Sequence, residues 1–133
     1  MIILDTHTLV WWIAEPKRIG ARARKAIQAT VSAGGAVSVS SISIWEIAML
    51  VTAGRLEFTF EVNAWIEQVE ALPFLSFVPV DNRIATRAVH LANFAHKDPA
   101  DRIIVSTALG LGATLLTADA RLHAYRPVTT LWD

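Results

Sequence analysis

Short apolar runs alternate along the chain with longer stretches in which apolar positions recur every three or four residues. Ile2 to Leu4, Ala36 to Ser40, Phe77 to Val80, Ala113 to Leu116 and Val128 to Leu131 read as strands, rich in Val, Ile, Leu and Thr. Most of these runs are continuously apolar rather than alternating, as strands covered on both faces are. Between them the spacing predicts helices over Thr8 to Ala14, Ala21 to Ala33, Ile44 to Ala53, Phe60 to Leu72, Asn82 to Asn93 and Pro99 to Gly110. A short turn is expected from Ala120 to Tyr125. Glu15-Pro16, Gly34-Gly35, Gly54 and Pro73 supply the stops. The Pro99 helix is the most regular, with Ile103, Ile104, Thr107, Ala108 and Leu111 on one face. Strands alternating with helices predict an α/β fold, a mainly parallel central sheet of four to five strands flanked by helices. With no repeat, low-complexity segment or linker in 133 residues, one domain over positions 1–133 is expected.

Composition sharpens that picture. The apolar fraction is 53% and the charged fraction only 18%, so each acid inside an apolar stretch asks for a reason. Net charge is zero, which gives no global sign of a nucleic-acid partner. The absence of cysteine removes disulfides and thiolate metal sites and fits a reducing compartment. The apolar start Met1-Ile2-Ile3-Leu4 is too short for a signal peptide, and no stretch approaches the ~20 apolar residues of a membrane span. A soluble cytoplasmic protein, with no membrane association, is expected.

The acids then fall into a pattern. In open α/β sheets ligands bind beyond the carboxyl ends of the strands. Asp5 follows the first predicted strand and Asp119 the fourth. Glu46 is expected in the first turn of the helix after the second strand, and Asp101 in the first turn of the Pro99 helix. In a parallel sheet all four lie near one edge, where they repel one another unless a cation intervenes. Carboxylates are hard oxygen ligands suited to Mg²⁺ or Mn²⁺, ions that keep several waters and dock phosphates. Such a site suits phosphodiester hydrolysis, with one ion or a pair about 4 Å apart. Each acid also has an ordinary reading. Ser43-Ile44-Trp45-Glu46 matches a capping box, Asp98 and Pro99 match an N-cap and N1, and Asp5 and Asp119 are placed to cap short helices.

Four segments carry a family resemblance. Met1 to Trp12 (MIILDTHTLVWW), Ser40 to Ile47 (SSISIWEI), His96 to Ala108 (HKDPADRIIVSTA) and Leu116 to Leu122 (LTADARL) resemble, in order, the four motifs of VapC-type PIN domains. The resemblance spans nearly the whole chain. It implies a metal-dependent endoribonuclease acting as the toxin of a toxin–antitoxin pair, blocked by a small antitoxin and forming a homodimer. Carried over by motif, the catalytic and metal-binding acids are Asp5, Glu46, Asp101 and Asp119, with Mg²⁺ or Mn²⁺ as cofactor and RNA as substrate. Asp101 matches the third acid better than Asp98, which then reads as the N-cap. Thr6 and Thr117 match positions where the family often places a hydroxyl near the metal, although strand-end hydrogen bonding explains them equally.

Other residues are less decisive. Arg102 is suited either to a substrate phosphate or to orienting a carboxylate through a salt bridge. His7 and His96 flank the acids. Lys17, Arg18, Arg22, Arg24 and Lys25 form a basic cluster fit for RNA phosphates or for a solvated helix face. Trp11, Trp12, Trp45 and Trp65 fall in helices and are expected mostly in the core. A haloacid-dehalogenase-type phosphotransferase needs a second Asp two residues after the first, where His7 stands. A phospho-receiver needs a Lys after the last strand, and the only lysines are Lys17, Lys25 and Lys97. The alternative that remains is a non-catalytic PIN-like binding module.

Overall fold

The computed structural model describes residues 1–56 and 61–133. Five parallel strands form one sheet: β1 (Ile2–Leu4), β2 (Val37–Ser40), β3 (Leu75–Val78), β4 (Thr114–Leu116) and β5 (Thr130–Leu131), in the order β3-β2-β1-β4-β5. Around it lie α1 (Thr6–Ala14), α2 (Ala21–Ser32), α3 (Ser41–Thr52), α4 (Val62–Glu70), α5 (Asn82–Val89), α6 (Pro99–Leu111) and α7 (Ala120–His123), with a 3₁₀ turn at Pro16–Arg18. The α/β expectation therefore holds, with all four strand pairings parallel. None of the helices described is long and apolar enough to cross a membrane.

Alternation along each strand sends neighbouring side chains to opposite faces. Ile2 and Leu4 join Leu9, Ile27, Val37, Val39, Ile47, Trp65 and Leu116 in one core. Ile3 and Leu115 join Phe94, Ile104, Val105, Leu122 and Val128 in the other. Covering helices on both faces explain why β1 is uniformly apolar and fully buried.

Several boundaries differ from the sequence reading. The third strand runs over Leu75–Val78 rather than Phe77 to Val80, because Pro79 has no N–H to extend the ladder. α5 ends at Val89 instead of Asn93, and Asn93 takes a left-handed conformation at φ 60°. The expected start at Phe60 lies outside the described residues, and α4 closes at Glu70, before Leu72. α6 stops where Gly112, at φ 63°, provides the left-handed C-cap.

The carboxyl terminus is tied to the amino-terminal end of α2. The Trp132 carbonyl accepts from the Ala23 N–H at 2.9 Å, and a Cβ on Gly20 would stand 2.4 Å from that same oxygen. Gly20→Ala is therefore expected to push two backbones apart and cost about 1–3 kcal/mol, read as a lowered denaturant midpoint with an unchanged slope. A change within about 0.5 kcal/mol would mean that the carboxyl-terminal strand is free to shift.

Candidate active site

The strand order reverses direction at β1 and β4, where the chain leaves toward β2 on one side and β5 on the other. That switch point opens a cleft beyond the carboxyl ends of the strands. The cleft has a volume of about 700 Å³, and Asp5, Glu46, Asp98, Asp101 and Asp119 all line it, with Thr6, His7, Trp11, Arg55 and Arg121.

Asp5 ends β1, caps α1 and is 8% exposed. Its Oδ1 accepts from the Thr8 N–H (2.9 Å) and the Thr8 hydroxyl (2.6 Å), and its Oδ2 from the Thr117 hydroxyl (2.5 Å). Thr117, fully buried after β4, also accepts from the Asp119 N–H at 3.0 Å, so one hydroxyl joins the two acids at the strand ends. His123 holds the Thr117 carbonyl at 2.6 Å through Nε2 and meets the Thr130 hydroxyl through Nδ1 at 2.7 Å. A carbonyl can only accept, so Nε2 carries a proton and donates it there. Thr6 is buried too, but its hydroxyl donates to Ser43 Oγ at 3.0 Å.

That last bond corrects the expected capping box. Ser40 caps α3, its hydroxyl accepting from the Ile42 N–H at 3.2 Å, so the helix begins three residues earlier than the Ile44 start expected. Serines at 40, 41 and 43 are locally equivalent caps; Ser43 is fully buried and occupied by Thr6. Glu46 consequently sits in the second turn rather than the first. Its half-buried carboxylate has no hydrogen-bond or ion-pair partner among the described residues and lines the cleft.

Asp98 caps α6, with Oδ1 accepting from the Ala100 N–H (2.9 Å) and the Asp101 N–H (3.2 Å), and Pro99 follows in the first turn. Asp101 pairs with His96 Nε2 through a short contact. Arg102 does not meet the salt-bridge expectation: it forms no ion pair among the described residues, and its guanidinium donates to the carbonyls of His96 (3.0 Å), Ala88 (3.0 Å) and Phe94 (2.9 Å). The three carbonyls engage every guanidinium nitrogen and pin the loop that brings His96 to Asp101. Asp119 caps α7 through the Arg121 N–H, and the Arg121 side chain closes on both of its oxygens, Nε to Oδ1 at 3.2 Å and Nη2 to Oδ2 at 2.9 Å.

The electrostatics follow from this crowding. The Asp101 carboxyl is pushed up to about 6, first because burial disfavours its charge and then because Asp98 and Glu46 lie near; His96 opposes the shift through its hydrogen bond and charge. Asp119 goes the other way, lowered chiefly by its hydrogen bond from Arg121. A folded-state value of about 6 against 3.8 means that the folded chain holds this proton more tightly than the unfolded one. The metal-free protein is therefore expected to gain stability as pH falls from 7.5 toward 5, by about 1 kcal/mol after allowance for solvent screening. Urea midpoints in EDTA at the two pH values test this, and Asp101→Asn should flatten the difference relative to wild type.

The donor set suits a hard divalent cation: five carboxylates converge on one cleft, and one of them resists ionisation among the others. The tightest group among the described residues is His96, Asp98 and Asp101, whose ligand atoms lie within 4.8 Å of one another. His96, not selected from the sequence, and Arg121, not singled out at all, are thus part of the site. His96 gave one signal, its place at the start of the third motif. Arg121 gave none beyond its position two residues after Asp119.

The tryptophans and the basic cluster divide. Trp65 is buried and Trp11 and Trp12 are partly buried, but Trp45 is 54% exposed on α3, contrary to the core expectation. Arg18 stacks over Trp11 at 4.3 Å and pairs with Glu15, while Arg24 donates to the carbonyls of Pro16, Lys17 and Ile19.

The PIN domain family model matches residues 2–126. The chain belongs to the PIN-domain family. Ribonuclease VapC22 of Mycobacterium tuberculosis (strain ATCC 25618 / H37Rv) is 34% identical over 131 residues, 96% of each chain. Among solved structures the PIN fold superposes on VapBC2 from Rickettsia felis, crystallised with a DNA fragment from its promoter. That TM-score is 0.71 at 16% identity, with both chains fully covered. VapBC from Salmonella typhimurium gives a TM-score of 0.69 at 18% identity, covering 98% of this chain and 96% of the other. At these identities the structures speak for the PIN fold alone.

Proposed function

We propose that this PIN protein is a metal-dependent endoribonuclease, a phosphodiester hydrolase acting as the toxin of a toxin–antitoxin pair. The observation that carries the reading is the convergence of Asp5, Glu46, Asp101 and Asp119, from four separate segments, on one cleft at the switch point of the sheet. The 34% identity to a protein named a ribonuclease supports the substrate class. The VapBC likenesses support the fold such a toxin would have.

Asp5, Asp101 and Asp119 are the residues to hold Mg²⁺ or Mn²⁺, and Glu46 is the one to take a second ion or orient the attacking water. A divalent ion in this setting polarises a phosphoryl oxygen and lowers the pKa of bound water. The chain's own contribution is to fix the carboxylates in advance. Thr8 and Thr117 orient Asp5, the Asp98 cap orients the first turn of α6, and His96 orients Asp101. Glu46, with no hydrogen-bond or ion-pair partner among the described residues, is the acid free to turn toward an attacking water. The same reading takes positions 1–133 as one functional unit that works in the cytoplasm as a homodimer and binds a small antitoxin.

The test is cleavage of a panel of structured and single-stranded RNAs by wild type and Asp5→Asn, with Mg²⁺, with Mn²⁺ and with EDTA. Cutting that requires metal and vanishes in the variant is expected. Cutting by both proteins alike, or in EDTA, would refute the four-acid site. No cutting of any RNA by wild type would favour the non-catalytic binding module.

A further inference from the structure

The cleft already contains a cation of its own. Arg121 grips both carboxylate oxygens of Asp119, and its Nη1 reaches to 3.4 Å from His96 Nδ1, while His96 Nε2 holds Asp101. Two of the acids are thus bridged through an arginine and a histidine. We propose that Arg121 is a resident counter-cation of this site, which a divalent ion displaces from Asp119 and which then binds a substrate phosphate.

Three observations carry this. The ion pair is open to water, the Arg121 side chain being 64% exposed, and exposed pairs are weak enough for a multivalent cation to displace. Both Asp119 oxygens are already engaged by Arg121, Oδ1 by its N–H and Nε and Oδ2 by Nη2. Ligation of an ion through both oxygens of Asp119 therefore competes with the guanidinium. Finally, the side chain has somewhere to go, because Arg121 lines both the acid cleft and an adjoining pocket of about 420 Å³ with His96 and Tyr125.

The charge balance gives the displaced group its work. Five acids line the cleft against Arg55 and Arg121, so a polyanion meets net repulsion there until cations are supplied. A guanidinium fits phosphate oxygens in the same two-pronged manner as carboxylate. Arg121 lines the cleft from an exposed position, so release from Asp119 leaves it beside an incoming phosphate. The phosphate half of this inference rests on the nuclease reading; the displacement half does not.

The experiment measures two affinities separately. Calorimetry with Mn²⁺ alone compares wild type, Arg121→Ala, Arg121→Lys and Arg83→Ala, the last removing the same charge from α5, outside the cleft. Arg121→Ala is expected to bind Mn²⁺ about two- to fivefold tighter than both wild type and Arg83→Ala, with Arg121→Lys between them. Equal affinities of the Arg121→Ala and Arg83→Ala variants would overturn the displacement. Binding of a 2′-O-methyl RNA oligomer, with Mn²⁺ saturating, reads the second half. Arg121→Ala is expected to weaken it about tenfold and to lower the salt slope by about one. Unchanged oligomer affinity would overturn the phosphate role. Wild type that cuts no RNA would sink the nuclease reading, and the phosphate half with it, while leaving the displacement half standing.

Discussion

Asp5→Asn should lower RNA cleavage by about a hundred- to a thousandfold while leaving the protein folded, and Asp5→Ala should do both kinds of damage. The sequence presented Asp5 as either a helix cap or a metal ligand, but the structure gives it both environments. Its Oδ1 holds two donors of Thr8, its Oδ2 holds the Thr117 hydroxyl, and the same carboxylate lines the cleft. Asparagine is itself a good cap and keeps Oδ1 in place. Its amide can donate to Thr117 Oγ, at the cost of the acceptor that the Thr117 proton has in wild type, about 1 kcal/mol. What asparagine lacks is the charge. Alanine removes the cap, worth about 1 kcal/mol. It also leaves the buried Thr117 hydroxyl short of an acceptor, at about 1–3 kcal/mol more, while the Thr8 hydroxyl keeps the Leu116 carbonyl at 3.0 Å. The check is activity alongside urea midpoints for both variants. An Asp5→Asn protein as destabilised as Asp5→Ala would mean that charge at position 5 is needed for the fold, and activity loss would then say nothing of a metal.

Glu46→Gln should separate activity from stability in the opposite direction. Glu46 supports nothing in the fold, having no partner among the described residues, and its charge helps push the neighbouring Asp101 carboxyl up. Neutralising it removes a like-charge repulsion inside a crowded cleft. In EDTA the variant is expected to match or exceed wild type in stability by a few tenths of a kcal/mol, and Asp101 should ionise at lower pH. With metal, cleavage should drop about a hundredfold, because the acid suited to orient or deprotonate water is gone. Such an inverse relation between stability and activity is the mark of a group kept for chemistry. A variant that cuts as well as wild type would leave the site to the other acids alone. One that unfolds would show that Glu46 has a structural contact in solution.

The sequence disclosed what short-range rules govern. Continuous apolar runs located every strand to within two residues, since burial on both faces demands them. Asp98 before Pro99 announced the start of α6, because an N-cap and a proline at N1 act within one turn. The four acids were legible because a parallel sheet places its strand ends along one edge, and the motif order supplied the rest. The same rules failed where several local answers were equally good. Ser40, Ser41 and Ser43 could each have begun α3; burial of Ser43 against Thr6 decided among them and moved Glu46 one turn inward. Pro79 outweighed the apolar pattern that had carried the third strand to Val80.

What remained for the tertiary structure was the choice of partners across long separations. Thr117 reaches Asp5 from 112 residues away, and Thr6 reaches Ser43 from 37. Arg102, fit by its chemistry for a phosphate or a carboxylate, is instead surrounded by three carbonyls of a turned chain that must be satisfied away from water. Arg121 and His96 entered the site for the same kind of reason. Side-chain type says which bonds a residue is able to make, and local spacing says which element carries it. Only the packed chain fixes which groups are brought within about 3 Å of one another, and there desolvation and charge decide which of those possible bonds form.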